Sequence, residues 1–171
     1  MDNDLIIECS QNLNEDEKAQ VLNINTQNLV ANGGQLHYKG ILEHKYAILA
    51  KINNKVIGYA LLMPKVFSNN DLYIMQVAID KKYQHNAIGS ILYEYAYEHS
   101  KGYEYLTANA NEKNMVSRKF HNKMGFESIG NDSDGIIYAK PISKDITKTF
   151  DDAKPVRLKL KEELNEERVL L

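Results

Sequence analysis

The sequence predicts an α/β fold with mixed α+β character: one mixed sheet with helices on its faces. Three observations carry this. Between residues 72 and 124 the chain reads strand, helix, strand, helix. Hairpin signals flank that stretch, Asn53-Asn54 on one side and residues 131–134 on the other. And "LYIMQVAI" (72–79) is a near-continuous apolar run, the mark of a strand covered on both faces.

The elements follow in order. "LIIECS" (5–10) reads as a short strand. A helix follows, with Asn14 as its cap and Glu17 three residues on completing a capping box. Ala19, Leu22, Ile24, Leu29 and Val30 give it a loose apolar face. Residues 31–45 hold glycines, histidines and tyrosines, and read as a loop with a short helix. "YAILAKI" and "KVIGYALLM" form a hairpin that Pro64 ends. After strand 72–79, Ile88, Ile91, Leu92, Tyr95, Ala96 and His99 recur at helical spacing. Lys101 and Gly102 fit that helix's end. "YEYLTANA" is a further strand and "NMVSRKFHNKM" a helix stopped by Gly125. "FESIG" and "GIIYAKPI" close the sheet. The division is a domain over 1–142 and a charged, partly helical appendage over 143–171. Residues 142 to 171 hold seven Lys/Arg and seven Asp/Glu. There "VRLKLK" alternates like a strand and "KEELNEERVLL" looks helical.

Composition narrows the function. A net charge of -2 supplies no basic field, so no nucleic-acid partner is expected. No stretch approaches the roughly 18 apolar residues of a membrane helix, and no signal peptide opens the chain, so the expected location is cytoplasmic. The one cysteine, Cys9, lies in an apolar run and reads as a packed strand residue. The five histidines lack ligand spacing, so no metal is expected.

The informative stretch is "YQHNAIGSIL" (83–92), a small-residue turn between strand and helix. A helix start presents unpaired N–H groups and a positive dipole end. With Ala87 and Gly89 leaving room, it can cradle a phosphate, and Gln84, His85, Asn86 and Ser90 can add donors. The alternative is a tight turn without a ligand. A Rossmann fingerprint fails because Leu92 replaces its third glycine, and no Walker Gly-Lys-Ser/Thr is present. On the second helix Val116, Phe120 and Met124 form an apolar stripe expected to pack on the sheet. Asn114, Ser117 and His121 form a polar stripe expected along its rim.

Together these two segments resemble the GNAT superfamily of N-acetyltransferases. "VAIDKKYQHNAIGSIL" looks like its acetyl-CoA motif, Gln/Arg-x-x-Gly-x-Gly/Ala, here Gln84-x-x-Ala87-x-Gly89. "NMVSRKFHNKMGF" resembles the following motif, with Asn114, Ser117, His121, Gly125 and Phe126 at its positions. The resemblance covers roughly residues 4 to 142.

The resemblance implies a sheet of about seven strands, with helices on both faces, splayed between the fourth and fifth strands. It implies acetyl-CoA as co-substrate, with pantetheine in the gap along Val77, Ala78 and Ile79. The pyrophosphate would rest on Gln84, His85, Asn86, Ala87, Ile88, Gly89 and Ser90. Asn114, Ser117 and His121 would complete the cofactor site, with Asn114 and His121 as the catalytic pair. His121 takes the place of the family's acidic tyrosine near the thioester sulfur. It implies direct acetyl transfer to a small-molecule or peptide amine in a ternary complex, and allows a homodimer. Ala87 replaces the first motif glycine, which suits a helical backbone there. Tyr73 stands about where some members carry a glutamate base, so no base is named. The acceptor pocket would be bordered by loop 32–45, with His37, Tyr38, Glu43 and His44, and by Asp71 and Tyr73. The alternative is a non-catalytic acyl-CoA-binding or regulatory module of the same fold.

Overall fold

A computed structural model describes residues 4–31, 41, 43–84 and 87–159. Its elements are β1 (Leu5–Ser10), α1 (Glu15–Ala31), β2 (Tyr46–Ile52), β3 (Lys55–Pro64), β4 (Asp71–Ile79), a 3-10 turn (Lys81–Tyr83), α2 (Ile88–Glu98), β5 (Tyr105–Ala110), α3 (Met115–Lys123), β6 (Glu127–Asp132), β7 (Gly135–Pro141) and β8 (Val156–Leu158). Eight strands form one sheet in the order β6-β7-β5-β4-β3-β2-β1-β8. Every neighbouring pair is antiparallel except β4 and β5, which run parallel.

Local chemistry places the first elements. Glu17 N–H donates to Asn14 Oδ1 at 2.7 Å and Asn14 N–H to Glu17 Oε1 at 3.0 Å, so the capping box forms as read. Glu17 also reaches Lys51 at 3.0 Å, and Lys51 meets Glu8 at 2.5 Å, tying α1 to β2 and β1. Asn53 and Asn54 both take positive φ (50° and 63°), which a two-residue hairpin with the right strand twist requires.

The central strands are covered on both faces. On one, α1 packs Val21 and Ile24 against Leu49, Tyr59, Leu61 and Ala78. On the other, α2 lays Ile88, Leu92, Tyr95 and Ala96 over Ile48, Ala60, Leu62 and Ile74. Strand β4 is thus covered on both sides, which explains its near-continuous apolar sequence.

Helix α3 corrects the sequence reading. Val116 is 81% exposed, whereas His121 is 3% exposed and stacks on Tyr138 of β7, 5.1 Å between centroids. Phe120 and Met124 pack against the core as expected, but Val116 faces out, and His121 turns inward from a polar stripe whose Asn114 is exposed. Helical spacing identifies stripes but does not say which is buried when the polar one finds partners.

The segment after β7 crosses over α2 to the far edge of the sheet. Phe150 is buried and stacks on Tyr46 (4.6 Å), and the Tyr95 hydroxyl donates to Lys154 O at 3.0 Å. "VRL" then pairs with β1 as β8, the eighth strand where about seven were expected. "KEELNEERVLL" lies outside the described residues.

Candidate functional site

The site is built from an opening in the sheet. Strands β4 and β5 pair only from Asp71↔Tyr105 to Ile74↔Ala108, although β4 runs on to Ile79 and β5 to Ala110. A register shift in the β3–β4 ladder places Gln76 opposite Leu61 and Ile74 opposite Leu62, so Met75 is an extra residue. Such a bulge bends its strand, and here it coincides with the point where β4 leaves β5.

The β3–β4 ladder fixes which β4 groups face the gap. Asp80 N–H donates to Ile57 O at 2.8 Å. Hydrogen-bonded and non-bonded pairs alternate along an antiparallel ladder. Ala78, opposite Tyr59, therefore turns its backbone toward β3, whereas Val77 and Ile79 turn theirs into the gap. Ile79 O is already taken, by Asn28 Nδ2 at 3.2 Å and Gln84 Nε2 at 3.0 Å. Val77 N–H and C=O and the Ile79 N–H are what the gap offers. Of the three β4 residues expected at the site, Ala78 brings no polar group and packs its methyl under α1.

Beyond β4 the chain turns into α2. Gln27 Oε1 accepts from Lys81 N–H at 3.0 Å, and Asp80 Oδ1 from Lys82 N–H at 3.0 Å, which anchors the 3-10 turn. Gln84 was expected to aim donors at a phosphate. Its amide instead ties the turn to Ile79 O and, at 3.4 Å, to Asn28 Oδ1. His85 and Asn86 lie outside the described residues.

Ala87 corrects a second expectation. It precedes α2 at φ 58° and ψ 17°, in the left-handed region rather than a right-handed helical one. This is the conformation a glycine takes freely and an alanine takes at a cost of about 1–2 kcal/mol. Ala87 also makes no side-chain cap bond, unlike Asn114 at α3 and Asn14 at α1. The N–H groups of Ile88, Gly89 and Ser90 therefore open onto the turn, since the first intrahelical bond is Ile91 N–H to Ala87 O at 3.1 Å. Gly89 has no positive φ, and a Cβ added there would meet nothing within 4 Å. Neither backbone conformation nor packing requires glycine at this position.

The α3 residues are spoken for inside the protein. Asn114 Oδ1 caps α3, accepting from Ser117 N–H at 3.0 Å. His121 has both ring nitrogens engaged. Nδ1 lies 2.7 Å from Ser117 O, a carbonyl that can only accept, so Nδ1 carries the proton. Nε2 then accepts from the Tyr93 hydroxyl at 2.8 Å. The ring is enclosed by Phe120, Phe126, Tyr138 and Tyr93. Burial holds its pKa below the usual histidine value, against a raising influence from the Ser117 carbonyl. This neutral, enclosed ring has no proton to offer at Nε2, which departs from the expected role of acid. Tyr93, its partner, carried no sequence signal, because a tyrosine at a core position of an amphipathic helix looks like any packed aromatic.

On the α1 face of the gap, the Tyr73 hydroxyl donates to Asn109 Oδ1 at 2.7 Å. Burial and the Asp134 and Asp132 carboxylates push Tyr73 up to about 12, so it stays protonated at neutral pH. Asp71 is fully buried and accepts from Thr107 Oγ1 (2.7 Å), Ser68 N–H (3.1 Å) and Phe67 N–H (3.2 Å). It fixes the β3–β4 loop rather than lining a pocket. His37 and Tyr38 lie outside the described residues. His44 Nδ1 lies 3.1 Å from Ile41 O, and Glu43 is exposed. Cys9 packs against the core, and burial pushes its thiol up to about 12. Among the described residues no group of three His, Cys, Asp or Glu is placed to hold a metal, and no helix is long and apolar enough to cross a membrane.

The family model described as "Acetyltransferase (GNAT) family" matches residues 13–126. Solved structures are similar over most of the chain. A GNAT-family acetyltransferase from Staphylococcus aureus matches 80% of this chain and 99% of its own, at 15% identity and a TM-score of 0.67. The PaiA N-acetyltransferase from Thermoplasma acidophilum, solved with coenzyme A, matches 79% and 98%, at 19% identity and 0.62. A ribosomal-protein alanine N-acetyltransferase from Escherichia coli matches 80% and 94%, at 18% identity and 0.58. At these identities the likeness is one of fold. No curated protein matches the sequence.

Proposed function

The chain belongs to the GNAT acetyltransferase family, and on that premise we propose that it moves the acetyl group of acetyl-CoA to a primary amine by direct attack in a ternary complex. The observation that carries this is the continuity of two unsatisfied backbone runs. The unpaired edge of β4 (Val77, Ile79) leads through the turn to the uncapped start of α2 and the open space at Gly89. Acetyl-CoA supplies the thioester as substrate. The β4 edge can bond the pantetheine amides as an added strand would, and the amides of 88–90 suit its pyrophosphate.

The transfer joins the amine nitrogen to the acetyl carbon and breaks the carbon–sulfur bond, whose electron pair leaves on sulfur. The amine proton passes to solvent or to the thiolate. Val77 N–H, facing the gap, is the candidate donor to the carbonyl oxygen as it gains charge. A thiol titrates near pH ~8.5, so its anion departs without a strong acid. The reaction therefore does not need a proton from His121. We assign His121 and Asn114 to positioning: one holds Tyr93 between α2 and α3, the other starts α3.

The enclosed His121 also favours the second reading, a non-catalytic acyl-CoA-binding module. Calorimetric titration with acetyl-CoA, followed by a panel of primary amines with release of free thiol as readout, separates the two. Binding with turnover supports the transferase. Binding without turnover across the panel leaves the module. Absence of binding overturns both.

A further inference from the structure

A second cleft lies at the other end of α2, about 15 Å along the helix from the turn at Gly89. It has a volume of about 310 Å³ and is walled by Tyr46, His99, Tyr103, Phe150 and Asp151. Strand β2, the C-terminus of α2 and the segment after β7 all contribute, so it exists only because that segment crosses the helix.

His99 makes the cleft unusual. The residue is 3% exposed, and its ring stacks on Tyr95 at 4.1 Å. Nδ1 lies 2.8 Å from Tyr95 O, so Nδ1 holds the proton and donates it. Nε2 is then an acceptor, and no donor among the described residues bonds it. A buried acceptor without a donor is unfavourable and calls for a partner.

The other groups specify that partner's charge. Asp151 accepts an amide hydrogen of Gln11 at 2.5 Å but pairs with no cation among the described residues. After burial, its charge is the next cause that raises the pKa of Tyr46 and Cys9. The C-terminal end of α2 adds the negative end of a helix dipole. Tyr46 already has a cation beside it, with Lys45 Nζ 5.3 Å from the ring centroid. Lys101 is the one cation on the lining, and it is exposed.

We propose that this cleft is a binding site for a small organic ammonium ion, separate from the gap between β4 and β5. The ammonium would donate to His99 Nε2 and Asp151 while its carbon chain lies on the aromatic walls. The proposal does not depend on the acetyl-transfer reading.

The test uses the full chain with 15N-labelled histidine. n-Butylammonium chloride is the probe, 1-butanol its uncharged counterpart, and sodium chloride the salt control. A saturable shift of the His99 ring signals with n-butylammonium alone is expected, with affinity falling about tenfold or more in Asp151→Asn. Asp151 is exposed, so this variant keeps the fold. The His121 ring, bonded to Tyr93 midway along α2, is the internal control. No shift at His99, an equal response to butanol, an unchanged response in D151N, or a shift at His121 alone each overturns the proposal.

Discussion

The Tyr93 hydroxyl donates to His121 Nε2 at 2.8 Å inside an aromatic cluster, a buried bridge between α2 and α3. Because Ser117 O holds the other ring nitrogen, the neutral ring has one tautomer. Removing either partner strands the other. His121→Phe and Tyr93→Phe should each destabilise by about 1–3 kcal/mol. The double variant should lose less than the sum, which a urea-denaturation cycle measures. If turnover is found, His121→Phe should keep it within about tenfold, because no proton from that ring is used; a loss of a thousandfold or more would restore the ring to the chemistry.

The same burial sets a pH dependence. His121 titrates below its ordinary value of 6.5 in the folded state. The unfolded chain therefore takes up the proton first as pH falls. Stability is fully present above about pH 6.5 and declines as pH drops from there toward the lowered folded value, with a slope of up to about 1.4 kcal/mol per pH unit. In His121→Phe that slope between pH 6.5 and the onset of carboxylate titration should flatten by up to one proton. An unchanged slope would place the titration elsewhere.

Gly89 separates folding from binding. A Cβ there meets no protein atom, and alanine is favoured over glycine within a helix by about 1 kcal/mol. Gly89→Ala should leave the melting temperature unchanged or raise it, yet weaken acetyl-CoA binding by about tenfold or more through crowding of the pyrophosphate. Equal affinity in wild type and variant, measured by calorimetry, would remove the phosphate from this turn.

Ala87→Gly is expected to stabilise. The alanine is held at φ 58°. Glycine relieves the left-handed penalty of about 1–2 kcal/mol and returns some of it as unfolded-chain entropy, for a net gain of about 0.5–1 kcal/mol. Ala87→Val should lose stability instead, since a β-branched residue fits that region worse. Denaturant midpoints of the two variants, moving in opposite directions, check the backbone geometry directly.

Asp71→Ala should be the most damaging of these changes. It leaves Thr107 Oγ1 and the Phe67 and Ser68 amides without their common acceptor in a buried place. A loss of about 3 kcal/mol is expected. Limited proteolysis should then find the loop between β3 and β4 cut early, since the carboxylate is what holds it; an uncut loop would contradict this.

Much was legible from residue order alone. The Asn14/Glu17 capping box, the Asn53-Asn54 turn and the near-continuous apolar run of β4 each have a local cause, and the structure shows each one. So did the order of strands and helices around Gln84-x-x-Ala87-x-Gly89, which was enough to mark the family. The misread features share another origin. Val116 and His121 were assigned to the wrong faces, because inward direction depends on Tyr93 and Tyr138, residues distant along the chain. Gln84 looked like a phosphate donor, but Asn28 and Ile79 O reach its amide first.

The sequence by itself determined most of the elements, the mixed sheet and the small-residue turn between strand and helix. These follow from local propensity and apolar spacing, which need no distant partner. Only the tertiary structure decided which polar groups remain open. Backbone alternation against β3 turns Val77 and Ile79 into the gap. The crossing of residues 143–158 walls a cleft at one end of α2, while the uncapped start leaves backbone amides open at the other. A polar atom is available for function only when no neighbour satisfies it, and its neighbours are chosen by the fold.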